Sequence, residues 1–112
     1  MKIGAFVPQG WRMDLNGIPI EEQWNTIINS AKYIEDLNYE SIWVYDHFHT
    51  VPQPTQDPTY ECWTLMSALS QTTSRVRLGQ MCTCNSYRNP SYLTKVASNI
   101  DVMSGGRLEY AI

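Results

Sequence analysis

The apolar positions alternate between two periods along the chain. Lys2 to Pro8 is a short apolar run, closed by Pro8 and Gly10, and reads as a first strand. Residues 9–20 carry Gly10, Asn16, Gly17 and Pro19 and read as a loop. Trp24, Ile27, Ile28, Ala31 and Ile34 then share one face of a 3.6-residue repeat, with Glu21 and Glu22 in the first turn, where the helix dipole favours negative charge. Ser41 to Tyr45 is β-branched and aromatic, a second strand. A second helix is predicted over Tyr60–Ser70, with Cys62, Leu65, Met66 and Leu69 on one face, and a third strand over Val76–Met81. Asn89-Pro90 has the form of an N-cap followed by proline at the first helical position. Leu93, Val96, Ala97 and Ile100 give the third helix its apolar face, Gly105-Gly106 ends it, and Arg107–Ile112 opens a fourth strand.

The resulting order, βαβαβαβ, implies a parallel sheet with right-handed crossovers. A doubly wound dinucleotide-binding sheet needs a tight glycine-rich turn leading from the first strand into a helix. The segment Pro8-Gln9-Gly10-Trp11-Arg12-Met13 has one glycine and a long loop instead. The fold class expected is therefore α/β, the N-terminal half of a (β/α)8 TIM barrel, with residues 1–112 forming one partial barrel domain that stops in its fourth strand of eight. Phe6, Trp43 and Leu78 are expected to face the barrel interior. Open edges at strands one and four would favour self-association.

Composition narrows the function classes. The chain has 112 residues, a net charge of -3 and 43% hydrophobic residues, enough for a core and without the basic stripe that nucleic acid requires. No apolar run suits a membrane span or a signal peptide, and three cysteines without disulfide-framework spacing suit a reducing cytoplasm. The partners expected are thus a small-molecule substrate, with no nucleic acid and no membrane.

In a parallel α/β fold, chemistry gathers beyond the carboxyl ends of the strands. Gln9-Gly10-Trp11, Asp46-His47-Phe48-His49 and Cys82-Thr83-Cys84-Asn85 converge there, and the second of these holds both histidines of the chain. His47 can serve as a general acid, because imidazole titrates near neutral pH, with Asp46 orienting it or binding a ligand. The alternative is a turn-capping Asp46 beside an ordinary loop histidine. His47 and His49 also alternate as a metal pair would, although the remaining ligands of a four-coordinate site are not evident. Cys82 and Cys84 read as a redox pair, soft-metal ligands or, more simply, core residues. Trp11, Trp43 and Trp63 read as core or wall, and Arg88 as a solvated surface residue or an anion contact. Residues 46–60 form a connection long enough to suggest a functional loop.

Taken in order, Met1-Lys2-Ile3-Gly4 through Pro8, Ser41-Ile42-Trp43-Val44-Tyr45-Asp46-His47-Phe48, Val76-Arg77-Leu78-Gly79, Tyr87-Arg88-Asn89-Pro90 and Asp101-Val102-Met103-Ser104-Gly105-Gly106-Arg107-Leu108 resemble the luciferase-like superfamily of flavin- and deazaflavin-dependent oxidoreductases. The resemblance implies hydride transfer between a cofactor and a small organic substrate, with coenzyme F-420 favoured and FMN the alternative. It implies that His47 is the catalytic acid, that Asp46 and Cys84 contact the cofactor, and that Met81-Cys82 forms a bulge against the ring, with a non-prolyl cis peptide at Met81–Cys82 or one residue later. Gly79 would allow the ring to approach. The family's second carboxylate and its phosphate-binding loops would lie on later strands, Glu109 is not that carboxylate, and a homo-oligomer, most simply a dimer, is expected of the full-length form. An FMN-dependent monooxygenase, a metal-dependent hydrolase using His47 and His49, and a non-catalytic half-barrel are the competing readings.

Overall fold

A computed structural model describes residues 1–112. Its elements are β1 (Gly4–Phe6), α1 (Ile20–Asp36), β2 (Ser41–Val44), α2 (Cys62–Thr72), β3 (Arg77–Gln80), α3 (Pro90–Ser104) and β4 (Leu108–Glu109). All pairings are parallel and the strand order is β1-β2-β3-β4. A doubly wound sheet reverses its strand order at a switch point. This one advances in a single direction, as a barrel wall does, so the α/β half-barrel reading holds.

The elements are the expected seven, with shorter strands. Strand β1 pairs only with β2 and β4 only with β3, so ladder bonds end where one neighbour ends. Val7 N–H still donates to Trp43 O at 3.2 Å, just beyond β1. Helix α2 starts two residues later than predicted because Glu61 lies outside it as N-cap, accepting from Trp63 N–H (3.1 Å) and Thr64 N–H (2.7 Å). Helix α3 follows its sequence signals. Asn89 accepts from Ser91 N–H at 2.9 Å, Pro90 opens the helix, and Gly105 closes it at φ 70°, a conformation that favours glycine. No helix is long and apolar enough to cross a membrane.

Strand side chains alternate between two faces. Ile42, Val44 and Leu78 join Ile27, Ala31, Cys62, Leu65, Met66, Leu69, Leu93, Ala97 and Ile100 in one buried cluster between sheet and helices. The opposite face presents Phe6, Trp43 and Glu109 to an open cavity of about 450 Å³. Leu78 therefore points to the helices and not to the interior as expected. It pairs with Ile42, one residue out of phase with Trp43.

The floor of that cavity explains two glycines. The Trp43 indole donates from Nε1 to Ser41 Oγ at 2.8 Å and lies flat across three strands. A Cβ at Gly4 would stand 2.5 Å from Trp43 Nε1, and one at Gly79 would stand 2.3 Å from Trp43 Cζ3. The group approaching Gly79 is thus the chain's own tryptophan, which corrects the expectation that this glycine admits a cofactor ring.

Arg107 locks the far end of the wall. Its guanidinium donates to Ser70 O, Thr73 O, Val76 O and Ser104 O, joining the C-terminal ends of α2 and α3 to the start of β3. Glu35, at the end of α1, accepts from the backbone N–H groups of Ser74, Arg75 and Val76. These contacts fix the amino-end loops and leave the carboxyl-end loops to carry chemistry.

Candidate active site

Three loops rise from the carboxyl ends of β1, β2 and β3. The first is shaped by Gly10, whose φ of 98° and whose contact with Pro58 exclude a side chain, since a Cβ would lie 2.1 Å from Pro58 O. Asp14 accepts from Gln9 N–H (3.2 Å) and Gly10 N–H (2.6 Å), closing the turn. Gln9 is buried and joins three segments. Its amide donates to Tyr45 O and Tyr60 O, both at 2.7 Å, and accepts from Tyr45 N–H at 2.8 Å. The long 46–60 connection is tied down as well. Val51 N–H donates to Trp11 O at 2.7 Å, Tyr60 N–H donates to Gln9 O at 3.0 Å, and Thr50 Oγ1 accepts from Thr55 N–H at 2.8 Å.

This frame aligns aromatic rings in a continuous ledge. Phe6 and Tyr45 stack at 4.4 Å between ring centres, Tyr45 meets the edge of Trp11 at 4.6 Å, and Trp11 stacks on His47 at 4.1 Å and 19°. His47 is half-buried at the end of the ledge, whereas His49 is exposed. A second stack, Phe48 on Tyr87 at 4.2 Å, joins the β2 and β3 loops. Trp11 thus turns out to hold the imidazole, a pairing that no spacing in the sequence announces. Trp63 is in the core, as expected.

Beyond β3, Met81 N–H still donates to Val44 O and Thr83 N–H to Ala111 O. The Met81–Cys82 peptide is cis, at the position the resemblance implies. Met81 is 47% exposed and Phe6 is 43% exposed, and both line the interior cavity. Cys82 is exposed and Cys84 half-buried, so these two do not pack in the core; the buried thiol is Cys62.

Asp46 does not reach His47 as the sequence suggested. Its carboxylate accepts from Arg88 Nη1 (2.6 Å) and Nη2 (2.8 Å) and from Cys84 N–H (2.8 Å). Arg88 also pairs with Glu61. The solvated-surface reading of Arg88 is therefore incorrect: its side chain is only 9% exposed, against 1% for Asp46. Burial raises the Asp46 carboxyl pKa, yet the Arg88 and Cys84 donors outweigh it and hold the net value below the ordinary one. Glu61 follows the same logic, with burial outweighed by the Thr64 and Trp63 N–H groups and Arg88. Burial, reinforced by the adjacent Asp46 carboxylate, pushes the Cys62 thiol well up, so it stays protonated.

Asp46, Glu61 and Cys62 offer three potential ligand atoms within 4.8 Å of one another, a cluster that includes neither histidine. The cation placed among them is the Arg88 guanidinium, bidentate on Asp46. A protonated thiol and a carboxylate already claimed by a guanidinium are poor metal ligands. The geometry does not assemble the His47–His49 metal centre.

The aromatic ledge, the cis bulge and the paired carboxylate all sit at the carboxyl ends of a barrel wall, and the sequence profile of luciferase-like monooxygenases matches residues 1–112. The chain belongs to the luciferase-like monooxygenase family. Several solved structures share its fold. An F420-dependent secondary alcohol dehydrogenase, solved with an F420-acetone adduct, aligns at 23% identity with a TM-score of 0.76, over 97% of this chain and 30% of its own. The monooxygenase RslO1 from Streptomyces bottropensis aligns at 19% identity and a TM-score of 0.78, over 98% of this chain and 32% of its own. The oxygenating constituent of 3,6-diketocamphane monooxygenase from Pseudomonas putida, solved with FMN, aligns at 15% identity and a TM-score of 0.76, over 98% of this chain and 28% of its own. This luciferase-like chain spans about a third of the length of those proteins. No curated protein sequence matches it.

Proposed function

We propose that the protein is a luciferase-like oxidoreductase that exchanges hydride between a small organic substrate and a deazaflavin of the coenzyme F-420 type. What carries this reading is one rim that holds both an imidazole fixed by stacking and an uncharged ledge beside it. Lys2, Glu40, Arg77 and Glu109 also line the interior cavity, but at its carboxyl-end rim Phe6 and Met81 present apolar surface. Such a surface fits a planar, largely uncharged ring system, which would be held by Met81, Cys82 and the Cys84 segment, with Asp46 acting on that segment through Cys84 N–H. When bound, the ring supplies the carbon that accepts or donates hydride.

The chain itself supplies position and a proton. His47 takes the proton lost by the substrate as hydride departs in oxidation, and returns it in reduction. Trp11 fixes the plane of the imidazole, and Gln9 fixes the backbone of Tyr45, two residues before it. The printed names of the structural relatives support a flavin-type cofactor, since one is F420-dependent and another was solved with FMN. An FMN-dependent monooxygenase is the second reading, and oxygen consumption separates the two. We extend the proposal to a homodimer of the full-length form.

His47→Ala tests the assignment. Turnover should fall by about two to four orders of magnitude, the usual range for losing a general acid or base. Affinity for coenzyme F-420 or FMN should stay within a few-fold, as the ledge persists. Unchanged turnover with lost cofactor binding would reverse the role of His47.

A further inference from the structure

We propose that Arg88 is the positioning residue of the cofactor ledge, acting through Asp46 and Glu61 to hold the Met81–Cys84 segment in register with His47. The proposal rests on the cofactor reading above and gives it a device that the chain's own geometry supplies. Arg88 lies in the loop between β3 and α3, one residue before the Asn89 cap. From there it reaches both ends of the single connection between β2 and α2, Asp46 just after the strand and Glu61 just before the helix. Both guanidinium Nη atoms engage Asp46, and Nη2 also engages Glu61. Asp46 Oδ2 receives Cys84 N–H as well, so one carboxylate ties the bulge-bearing segment to the strand end that carries His47.

Each carboxylate oxygen of Asp46 and Glu61 has a counterpart. Asp46 Oδ1 takes Arg88 Nη2, Oδ2 takes Arg88 Nη1 and Cys84 N–H, and the Glu61 oxygens divide between Arg88 and the first N–H groups of α2. The Asp46 side chain is 1% exposed and both of its oxygens are engaged by Arg88 or Cys84. Asp46 therefore serves the cofactor through the backbone of Cys84, not by direct contact. The cluster is also asymmetric in what it fixes. Gln9 and Trp11 already hold the His47 side of the rim. On the opposite side, the Cys84 segment is anchored at Thr83 by Ala111 O and Gln80, and at Cys84 by Asp46. A fork-shaped donor is required, because a lysine ammonium cannot span Asp46 and Glu61 with paired, in-plane bonds.

The test is Arg88→Lys, followed in three ways on the intact protein. Circular dichroism and thermal unfolding report whether the fold survives. Fluorescence titration with coenzyme F-420 and with FMN reports the ledge. The rate at which Cys82 and Cys84 react with a disulfide reagent reports the segment directly, without any cofactor. The expected result is a folded protein whose dissociation constant for the cofactor rises about 10- to 100-fold, the scale of an ångström-sized misplacement. The Cys84 thiol should also react several-fold faster. Unchanged affinity and unchanged thiol rate in folded Arg88→Lys would overturn the proposal. If that variant fails to fold, Asp46→Asn, which keeps the shape and weakens only the paired bonds, must show the same two changes or the proposal fails. Should wild-type protein bind neither cofactor, the functional reading falls, and the thiol rates still decide whether Arg88 holds the segment.

Discussion

Replacing a strand glycine by alanine ordinarily stabilises a protein, by roughly 0.4–1 kcal/mol, when the backbone angles permit it. Gly79 in β3 lies outside the left-handed region, so by that rule Gly79→Ala should help. The structure reverses the sign. The new Cβ would lie 2.3, 2.5 and 2.8 Å from Cζ3, Cε3 and Cη2 of Trp43, and ordinary contact begins at 3.4 Å, so the ring or the strand must move by about 1.1 Å. The indole cannot slide freely, because Nε1 is hydrogen-bonded to Ser41 Oγ and the same pyrrole edge lies over Gly4. Overpacking of this kind costs about 1–3 kcal/mol. In a domain of this size that lowers Tm by about 4–12 °C. Thermal unfolding followed by far-ultraviolet circular dichroism measures it, and the decisive comparison is a double-mutant cycle with Trp43→Leu. Without the indole the alanine should become neutral or stabilising, a coupling of about 1–3 kcal/mol. A Gly79→Ala penalty of the same size in both backgrounds, or none in either, would refute the claim that Trp43 forms the floor of the cavity.

Two further predictions concern the charge cluster. Because Asp46 and Glu61 have folded pKa values below the ordinary carboxylate range, their contribution to stability is complete above the unfolded values and is lost as pH falls through the folded ones. Urea unfolding between pH 7 and pH 2.5 should show stability dropping below about pH 4, with a shallower fall in Asp46→Asn. A profile flat down to pH 2.5 would contradict the cluster's electrostatics. In native protein at pH 8, Cys82 should react readily with a disulfide reagent and Cys62 only after unfolding, since Cys62 is buried with its thiol held protonated; early modification of Cys62, read by peptide mapping, would contradict that burial.

How far the sequence reveals this molecule depends on whether a feature is periodic or pairwise. Helix α3 was legible to the residue, because Asn89, Pro90 and Gly105 each signal through local backbone chemistry. The parallel barrel wall was legible from the alternation of strand and helix and from the missing glycine-rich turn. Leu78 lies on the face opposite to the expected one because a four-residue strand gives too few positions to fix its phase, and polar Arg77 and Gln80 fall one on each face of β3. The burial of Arg88 is hidden from the sequence for a different reason. An arginine before a helix cap looks solvated, and nothing local says that Asp46, 42 residues earlier, and Glu61 converge on it. The same limit hid the Trp11–His47 stack, which joins two loops 36 residues apart. The site's position was readable from strand ends alone, while its wiring exists only between elements.

The central claim is that the rim formed by Phe6, Trp11, His47, Met81 and the Cys84 segment belongs to a luciferase-like oxidoreductase and receives a deazaflavin or flavin ring. The most direct measurement is an anaerobic absorbance and fluorescence titration of the protein with coenzyme F-420 and, separately, with FMN. The account predicts saturable quenching of cofactor fluorescence at one equivalent per site, stronger with coenzyme F-420, and accompanied by quenching of Trp11 emission that is absent in Trp11→Leu. Unperturbed spectra with both cofactors at concentrations where a luciferase-like site should fill would contradict it.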